Sequence, residues 1–160
     1  SLPHGLSFGD SHPRNLFPLG SETVGIDWAN LTYDPIGCDI GVLIGSPFIY
    51  TEAEIQCSSE NEKEIYESYI DGLKSSGWAG NLDHVRLGFC LHFFGYLLMN
   101  STYPLRQAQA SKNPTRRAWL ENRTQTAFED IPELKAQSTA LIPKYGEELK
   151  LLLKRVEDSI

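Results

Sequence analysis

Two carboxylates and one amide near the beginning of the chain have the oxygen ligands that a hard metal ion prefers. Asp10 and Asn15 lie on either side of Pro13, and Asp27 follows a short apolar segment. Mg²⁺ usually takes one or two protein carboxylates and relies on phosphate and water for its other ligands. The spacing lets Asn15 reach back across the Pro13 loop towards Asp10. Taken alone, an Asp and an Asn at this spacing are equally typical of an ordinary turn.

The elements that must position these residues are short strands. Apolar runs at 16–19 and 24–26 flank the turn-forming segment 20–23, a pattern that predicts two strands joined in a hairpin. Such a hairpin would bring Asp27 beside Asp10 and Asn15. The first 50 residues, rich in Gly, Pro and Asp, are therefore predicted to be short strands and loops that carry the chemistry.

Residues 51–160 have the apolar spacing of helices and should supply the core. The apolar residues at 85–98 are too dense for a surface helix, so we expect this helix to be the most buried element. The spacing and the capping residues predict four helices. The first covers residues 60–75 and is ended by Gly77, and the second is capped by Asp83. The third is capped by Thr115 and runs through Phe128, and the last starts at about Lys144.

Composition excludes several classes of protein. The chain has 160 residues, of which 41% are hydrophobic, enough to bury one domain's core. Asp and Glu outnumber Lys and Arg by 21 to 14, and the only local basic cluster is Lys112, Arg116 and Arg117, so neither a nucleic acid nor an anionic membrane surface is expected as a partner. Three cysteines without metal-ligand spacing favour reduced thiols, and no signal peptide is visible; we expect a cytoplasmic protein.

Three ordered motifs carry a family resemblance. Residues 9–17 read GDSHPRNLF, residues 24–28 read VGIDW, and residues 33–40 read YDPIGCDI. Together they resemble the aminoglycoside phosphotransferase family, which shares the protein-kinase-like fold with choline and homoserine kinases. The resemblance implies an α+β, mainly α fold: a protein-kinase-like C-terminal lobe over 1–160, with a short β-hairpin carrying the catalytic loop and a helical bundle behind it.

The resemblance also implies the catalytic roles, by position in the motifs. Asp10 would be the catalytic aspartate, which orients the hydroxyl of the acceptor and takes its proton. Asn15 and Asp27 would be the Mg²⁺ ligands, with Asp27 bridging the metal to the phosphates of ATP. The implied reaction is transfer of the γ-phosphate of ATP to a hydroxyl of a small molecule, either aminoglycoside-like or a metabolite.

Four further residues have supporting roles in this interpretation. His12 and Asp39 would support the loop from behind, Asp39 by accepting hydrogen bonds from its backbone. The preferred interpretation of His12 is a structural one, in which its ring nitrogens form hydrogen bonds within the loop. Phe17 and Ile26 would form the floor under the adenine, and plain strand packing explains their apolar character equally well.

The sequence departs from the family pattern in three places. Phe8 replaces the family's His, and Ala29 with Asn30 replaces the commoner acidic residue after Trp28. The N-terminal lobe, with its Lys-bearing strand and phosphate-covering loop, has no counterpart before Asp10. We therefore expect a truncated catalytic lobe that self-associates through the surface the other lobe would cover. A non-catalytic binding or regulatory lobe remains an alternative, as does a metal-dependent hydrolase, although the chain has only four histidines.

Overall fold

The fold places four short strands before seven α-helices. These elements belong to residues 2–159, which the computed structural model describes except for the side chain of Ala53. The strands are β1 (His4–Ser7), β2 (Leu16–Leu19), β3 (Glu22–Gly25) and β4 (Thr32–Pro35). The helices are α1 (Cys38–Gly45), α2 (Glu52–Ser75), α3 (Leu82–Ser101), α4 (Tyr103–Ala110), α5 (Pro114–Thr124), α6 (Ile131–Ala140) and α7 (Ile142–Glu157). Helix accounts for 68% of the structure and strand for 10%, which confirms a mainly α, α+β chain.

The strands form two separate antiparallel pairs. β2 and β3 make the predicted hairpin, with Leu16 opposite Gly25 and Leu19 opposite Glu22. The second pair, β1 with β4, was not predicted; it sets His4 opposite Pro35 and Ser7 opposite Thr32. Both members of this pair are four residues long and contain Gly or Pro, so the alternating pattern that identifies a strand is missing from them.

The prediction that strands and loops fill the first 50 residues is wrong from residue 38 onwards, where α1 begins. This helix is almost wholly apolar, and a short apolar run gives no periodicity by which to tell helix from strand. It packs closely on α3: a Cβ on Gly41 would lie 2.5 Å from the His92 Cβ and 2.8 Å from the Phe89 carbonyl oxygen. Six of its eight residues are buried, against eight of twenty in α3, so α3 is not the most buried element in proportion to its length.

The long helix α2 starts eight residues earlier than predicted. Thr51 caps it: the Thr51 hydroxyl accepts from the Glu54 backbone N–H, while the Glu54 carboxylate accepts from the Thr51 backbone N–H. This reciprocal capping box stabilises the first turn. The predicted end is confirmed, because Gly77 follows the helix with φ of 85°.

The remaining helix boundaries differ from prediction by a few residues. Asn81, not Asp83, caps α3, since the Asn81 side chain accepts from the Asp83 N–H. Asn113, not Thr115, caps α5, which ends at Thr124, so that Phe128 lies in the following turn. The last helix starts at Ile142, slightly before Lys144, and the helices α4 and α6 were missed.

The main core joins α1, α2, α3, α6 and α7. Phe89 and Phe93 of α3 lie at its centre, and Tyr145 of α7 packs edge-on against Phe93 with ring centroids 4.6 Å apart. Leu91 and Leu98, expected to be buried in the central helix, are 43% and 45% exposed. None of the helices described between residues 2 and 159 is long and apolar enough to cross a membrane.

Candidate active site

The loop that carries Asp10 is held from behind by Asp39. The Asp39 Oδ1 accepts from the Ser7 hydroxyl at 2.8 Å and from the Gly9 backbone N–H at 3.3 Å. The Ser11 hydroxyl donates to the Asp39 backbone carbonyl at 2.6 Å. Because Asp39 lies in the first turn of the buried helix α1, these bonds attach the loop on both sides of Asp10 to the rigid part of the molecule.

A close backbone contact places the loop against the turn after Asp27. Gly9 has φ of 71°, and a Cβ there would lie only 2.0 Å from the Asn30 carbonyl oxygen. Only glycine fits both the backbone conformation and the contact. Beside it, the Phe8 ring packs on Trp28 with centroids 4.4 Å apart.

Asn15 connects the Asp10 loop to the segment that carries Asp27. The Asn15 Nδ2 donates to the Asp10 backbone carbonyl at 3.1 Å. The Asn15 backbone carbonyl accepts from the Ile26 N–H at 2.9 Å, at the end of the hairpin. The structure therefore brings Asp10, Asn15 and Asp27 to one corner of the molecule.

The donor groups at this corner fit a divalent cation. Asp10 and Asp27 have no hydrogen-bonding or ion-pair partner for their carboxylates within residues 2–159. The Asn15 amide nitrogen is engaged, which leaves its oxygen as the atom free to bind a metal. Asp27 also has left-handed backbone angles, with φ of 63° and ψ of 59°, in an exposed turn. Unusual backbone angles of this kind are enriched at functional sites.

His12 lies beneath the loop as a neutral, partly satisfied histidine. Its Nδ1 accepts from the Arg14 N–H at 2.9 Å, and its ring packs edge-on against Tyr50. Burial, together with the Arg14 charge, lowers the pKa of His12, so the ring is uncharged at neutral pH. Its Nε2 is buried and has no hydrogen-bonding partner in the part of the chain that the structure describes.

Phe17 and Ile26 lie on the open surface of the hairpin and its exit. They are 48% and 47% exposed, and nothing on that side of the described chain covers them. Their position beside Asp27 is compatible with a floor for a base, and their exposure argues against the alternative of strand packing inside this chain.

One cavity borders the loop, and another lies along α3. The larger, of about 750 Å³, lies between the loop, α1 and α2; Ser11, Pro13 and Asp39 line it, but Asp10 does not. The other, of about 450 Å³, runs along α3 past His92, Tyr96 and Met99. Burial raises the pKa of the Tyr96 hydroxyl in this groove, and the Asp10 charge raises it further.

Sequence reasoning missed two cationic residues near the loop, Arg14 and Lys135. Arg14 forms an ion pair with Glu54 at 2.9 Å and stacks on Tyr50 at 4.0 Å. Lys135 of α6 is buried and donates to the Phe48 carbonyl at 2.6 Å. Burial, followed by the charge of Arg123, lowers the pKa of Lys135 to about 8. No motif marks these residues; only the packing of distant helices brings them here.

Comparisons with known proteins add no assignment. No protein-family model matches the sequence, and neither a curated protein nor a solved structure matches it significantly. Within residues 2–159 no three His, Cys, Asp or Glu side chains form a group that could hold a metal ion. The Asp10, Asn15 and Asp27 set contains two carboxylates and would depend on phosphate oxygens for the remaining ligands.

Proposed function

We propose that this chain is the catalytic and acceptor-binding lobe of an ATP-dependent phosphotransferase, of the protein-kinase-like fold, that acts on a hydroxyl of a small molecule. The observation that carries the proposal is the joint placement of Asp10, Asn15 and Asp27 by contacts outside those three residues. Asp39 fixes the loop, and Gly9 lies against the Asn30 carbonyl. The motif order in the sequence and the contacts that link the three segments support the proposal.

In this proposal each residue acts through a group the structure leaves free. Asp10 orients the acceptor hydroxyl and takes its proton as the new bond to phosphorus forms. Asn15 and Asp27 hold Mg²⁺ through oxygen. The metal, when bound, neutralises charge on the phosphates during transfer. Asp39 keeps the loop rigid, because phosphoryl transfer depends more on positioning than on covalent chemistry by the protein.

The groups that would hold ATP from above are not found among residues 2–159. Carboxylates without a nearby lysine or loop amides repel a triphosphate. We therefore expect this chain alone to bind Mg²⁺-ATP with a dissociation constant of about 1 mM or weaker and to show no detectable transfer. Micromolar affinity in calorimetry would contradict the two-lobe proposal and favour a self-sufficient nucleotide-binding domain.

Metal binding can be tested without activity. Paramagnetic Mn²⁺ in place of Mg²⁺, with ATP present, should broaden the amide resonances of residues 9–16 and 26–28 in NMR spectra. Asp27→Asn should abolish this broadening, whereas Asp34→Asn, which changes a carboxylate in β4, should leave it unchanged. Broadening spread evenly over the acidic surface would contradict a metal site at this corner.

Catalysis is tested in the longest form of the protein that the gene encodes. Phosphotransfer from ATP to a panel of hydroxyl acceptors should be measurable there. Asp10→Asn keeps the side-chain shape but removes the base, so turnover should fall by about 10²-fold or more, with Asp34→Asn as control. Normal turnover of Asp10→Asn would exclude Asp10 as the base.

A further inference from the structure

A further cavity adjoins the groove along α3, because Met99 lines both. It is a cavity of about 230 Å³ between α3, α4 and α5. Its walls carry three arginines, Arg106, Arg116 and Arg123, and the indole of Trp119. No acidic residue lines it, although the whole chain carries a net charge of −7.

The three arginines are the ones that the fold leaves without an ionic partner. The chain has seven arginines, and the other four form ion pairs with carboxylates. Within residues 2–159 no carboxylate lies within ion-pair distance of Arg106, Arg116 or Arg123, and their side chains donate no hydrogen bond. In an acidic protein, three unpaired guanidinium groups around one cavity are unexpected unless an anion from outside supplies the missing charge.

A buried hydroxyl in the same cavity also lacks a partner. Tyr103 is only 6% exposed and lines the cavity, and within residues 2–159 its hydroxyl has no hydrogen-bonding partner. The Nε of Arg123 is likewise buried without an acceptor. Both groups are donors. Buried donors are normally satisfied, so their common lack of an acceptor indicates that an acceptor-rich ligand belongs there.

The aromatic part of the cavity wall indicates the chemistry of the part of the ligand that carries no hydrogen-bond acceptors. The Arg123 guanidinium stacks over the Trp119 ring at 5.1 Å and over the Tyr50 ring at 4.7 Å, which holds its donors in a fixed direction. The Trp119 side chain is 54% exposed. A planar or aliphatic group can pack on it, and the volume suits a small organic molecule better than a nucleotide.

We propose that this cavity binds a small organic oxyanion, a phosphate monoester or a carboxylate, with Arg106, Arg116, Arg123 and the Tyr103 hydroxyl as donors and Trp119 against its apolar part. Arginine suits this role because its planar fork of N–H donors matches phosphate and carboxylate oxygens. The site is independent of the proposed phosphotransfer and can be tested on this chain as it stands.

Calorimetry at low ionic strength, with phenyl phosphate as the probe, tests the proposal. Phenyl phosphate should bind with one-to-one stoichiometry, and benzylamine, which has the same ring with the opposite charge, should not. Inorganic phosphate and benzoate then identify the oxyanion preferred. Arg106→Gln, Arg116→Gln and Arg123→Gln should each weaken binding of phenyl phosphate about tenfold or more, since each removes a charged donor.

Arg117 provides a matched control on the same helix as Arg116 and Arg123. It is ion-paired with Glu121 at 3.2 Å and with Glu129 at 2.7 Å and does not line the cavity. Arg117→Gln therefore removes the same charge from α5 and should leave the affinity within about twofold. If Arg117→Gln weakens binding as much as Arg116→Gln does, the attraction is a general charge effect and the proposed site is wrong.

Tyr103→Phe separates ligand binding from folding. It removes only the unpartnered hydroxyl, so the free protein should melt at the same temperature or higher, while binding of phenyl phosphate should weaken several-fold. Should Arg123→Gln fail to fold, the exposed Arg106 and Arg116 still carry the test. Absence of phenyl phosphate, benzoate and phosphate binding up to about 10 mM, a concentration at which millimolar affinities are measurable, overturns the proposal.

Discussion

At the scale of single residues, Asp39 is the connection between the core and the candidate active site. One of its oxygens accepts from both the Ser7 hydroxyl and the Gly9 N–H, and its backbone accepts from Ser11. Removing the carboxylate leaves the Ser7 hydroxyl without its acceptor, and leaves the Gly9 N–H with only the Ser7 Oγ, at 3.2 Å, in a partly buried place. The position of the loop therefore depends on this side chain more than on contacts within the loop.

Asp39→Ala should lower the free energy of unfolding by about 1–3 kcal/mol. Chemical denaturation measures this change, and hydrogen exchange should show faster exchange of the Gly9 amide in the variant. Asp34→Ala is the control, because no hydrogen bond or ion pair of its carboxylate is found in residues 2–159. Equal destabilisation by the two variants would contradict a specific role for Asp39.

Lys135 gives the molecule a pH dependence with a definite sign. Burial lowers its pKa to about 8 in the folded state, whereas the unfolded chain keeps the proton up to a pKa of about 10.5. Between these two pH values unfolding takes up a proton, so the free energy of unfolding rises with pH. The contribution of Lys135 is complete above its unfolded pKa and is lost as the pH falls through 8. The buried thiols Cys38 and Cys90, with pKa values raised to about 12, have the opposite effect near and above pH 9.

Comparison with Lys135→Met isolates the effect of the lysine. From pH 7 to pH 9, the unfolding free energy of the wild type should rise by about 1 kcal/mol relative to that of the variant. The thiols contribute equally to both proteins and cancel. Urea denaturation at pH 7, 8 and 9 measures the difference. A difference that is flat with pH would show that Lys135 keeps an ordinary pKa in the folded protein.

At the scale of elements, the packing of α1 on α3 controls where the Asp39 end of α1 lies. Gly41 is the point of contact: an added Cβ would meet the Phe89 carbonyl oxygen, a backbone atom that cannot move away cheaply. In contrast, a Cβ at Gly95, within α3 itself, would meet nothing within 4 Å. The two glycines are therefore expected to respond in opposite directions to the same substitution.

Gly41→Ala should destabilise the protein by about 1–3 kcal/mol, because the two helices must separate. Gly95→Ala should stabilise it by up to about 1 kcal/mol, since alanine restricts the unfolded chain and favours helix. Thermal or chemical denaturation of both variants gives the two signs. Stabilisation by Gly41→Ala would show that the distance between α1 and α3 at Gly41 leaves room for a Cβ.

Sequence patterns predicted the elements whose signals are local. The hairpin and the end of α2 at Gly77 follow from turn chemistry and apolar spacing within a few residues. The helix α1 was missed because its apolar run has no polar face, and β1 with β4 because their pairing partners lie far apart in sequence. The cavity arginines were missed for the same reason: Arg116 and Arg117 look alike in sequence, and only the tertiary fold pairs Arg117 with Glu129.

At the scale of the whole molecule, the exposed large hydrophobic side chains are concentrated in the first 33 residues of the sequence. Eight large hydrophobic side chains between residues 6 and 33 are exposed, against seven in the rest of the described chain. The members in this segment, which we call the front face, are Leu6, Phe17, Leu19, Val24, Ile26, Trp28, Leu31 and Tyr33. Where exposed apolar residues form a contiguous patch, they mark an interaction surface.

For this chain in isolation we predict that the front face associates with a second copy. Sedimentation velocity at increasing protein concentration should show a weight-average mass that rises above the 18.0 kDa of one chain. The double variant Phe17→Ser, Ile26→Ser should stay at that mass, because it removes two apolar anchors from the front face. Leu151→Ser, at a position 62% exposed on α7, is the control for lost hydrophobicity elsewhere and should associate as the wild type does. A wild-type mass that remains at one chain throughout would mean that the front face is stable in water, since apolar side chains spread over two small sheets need not form one continuous patch.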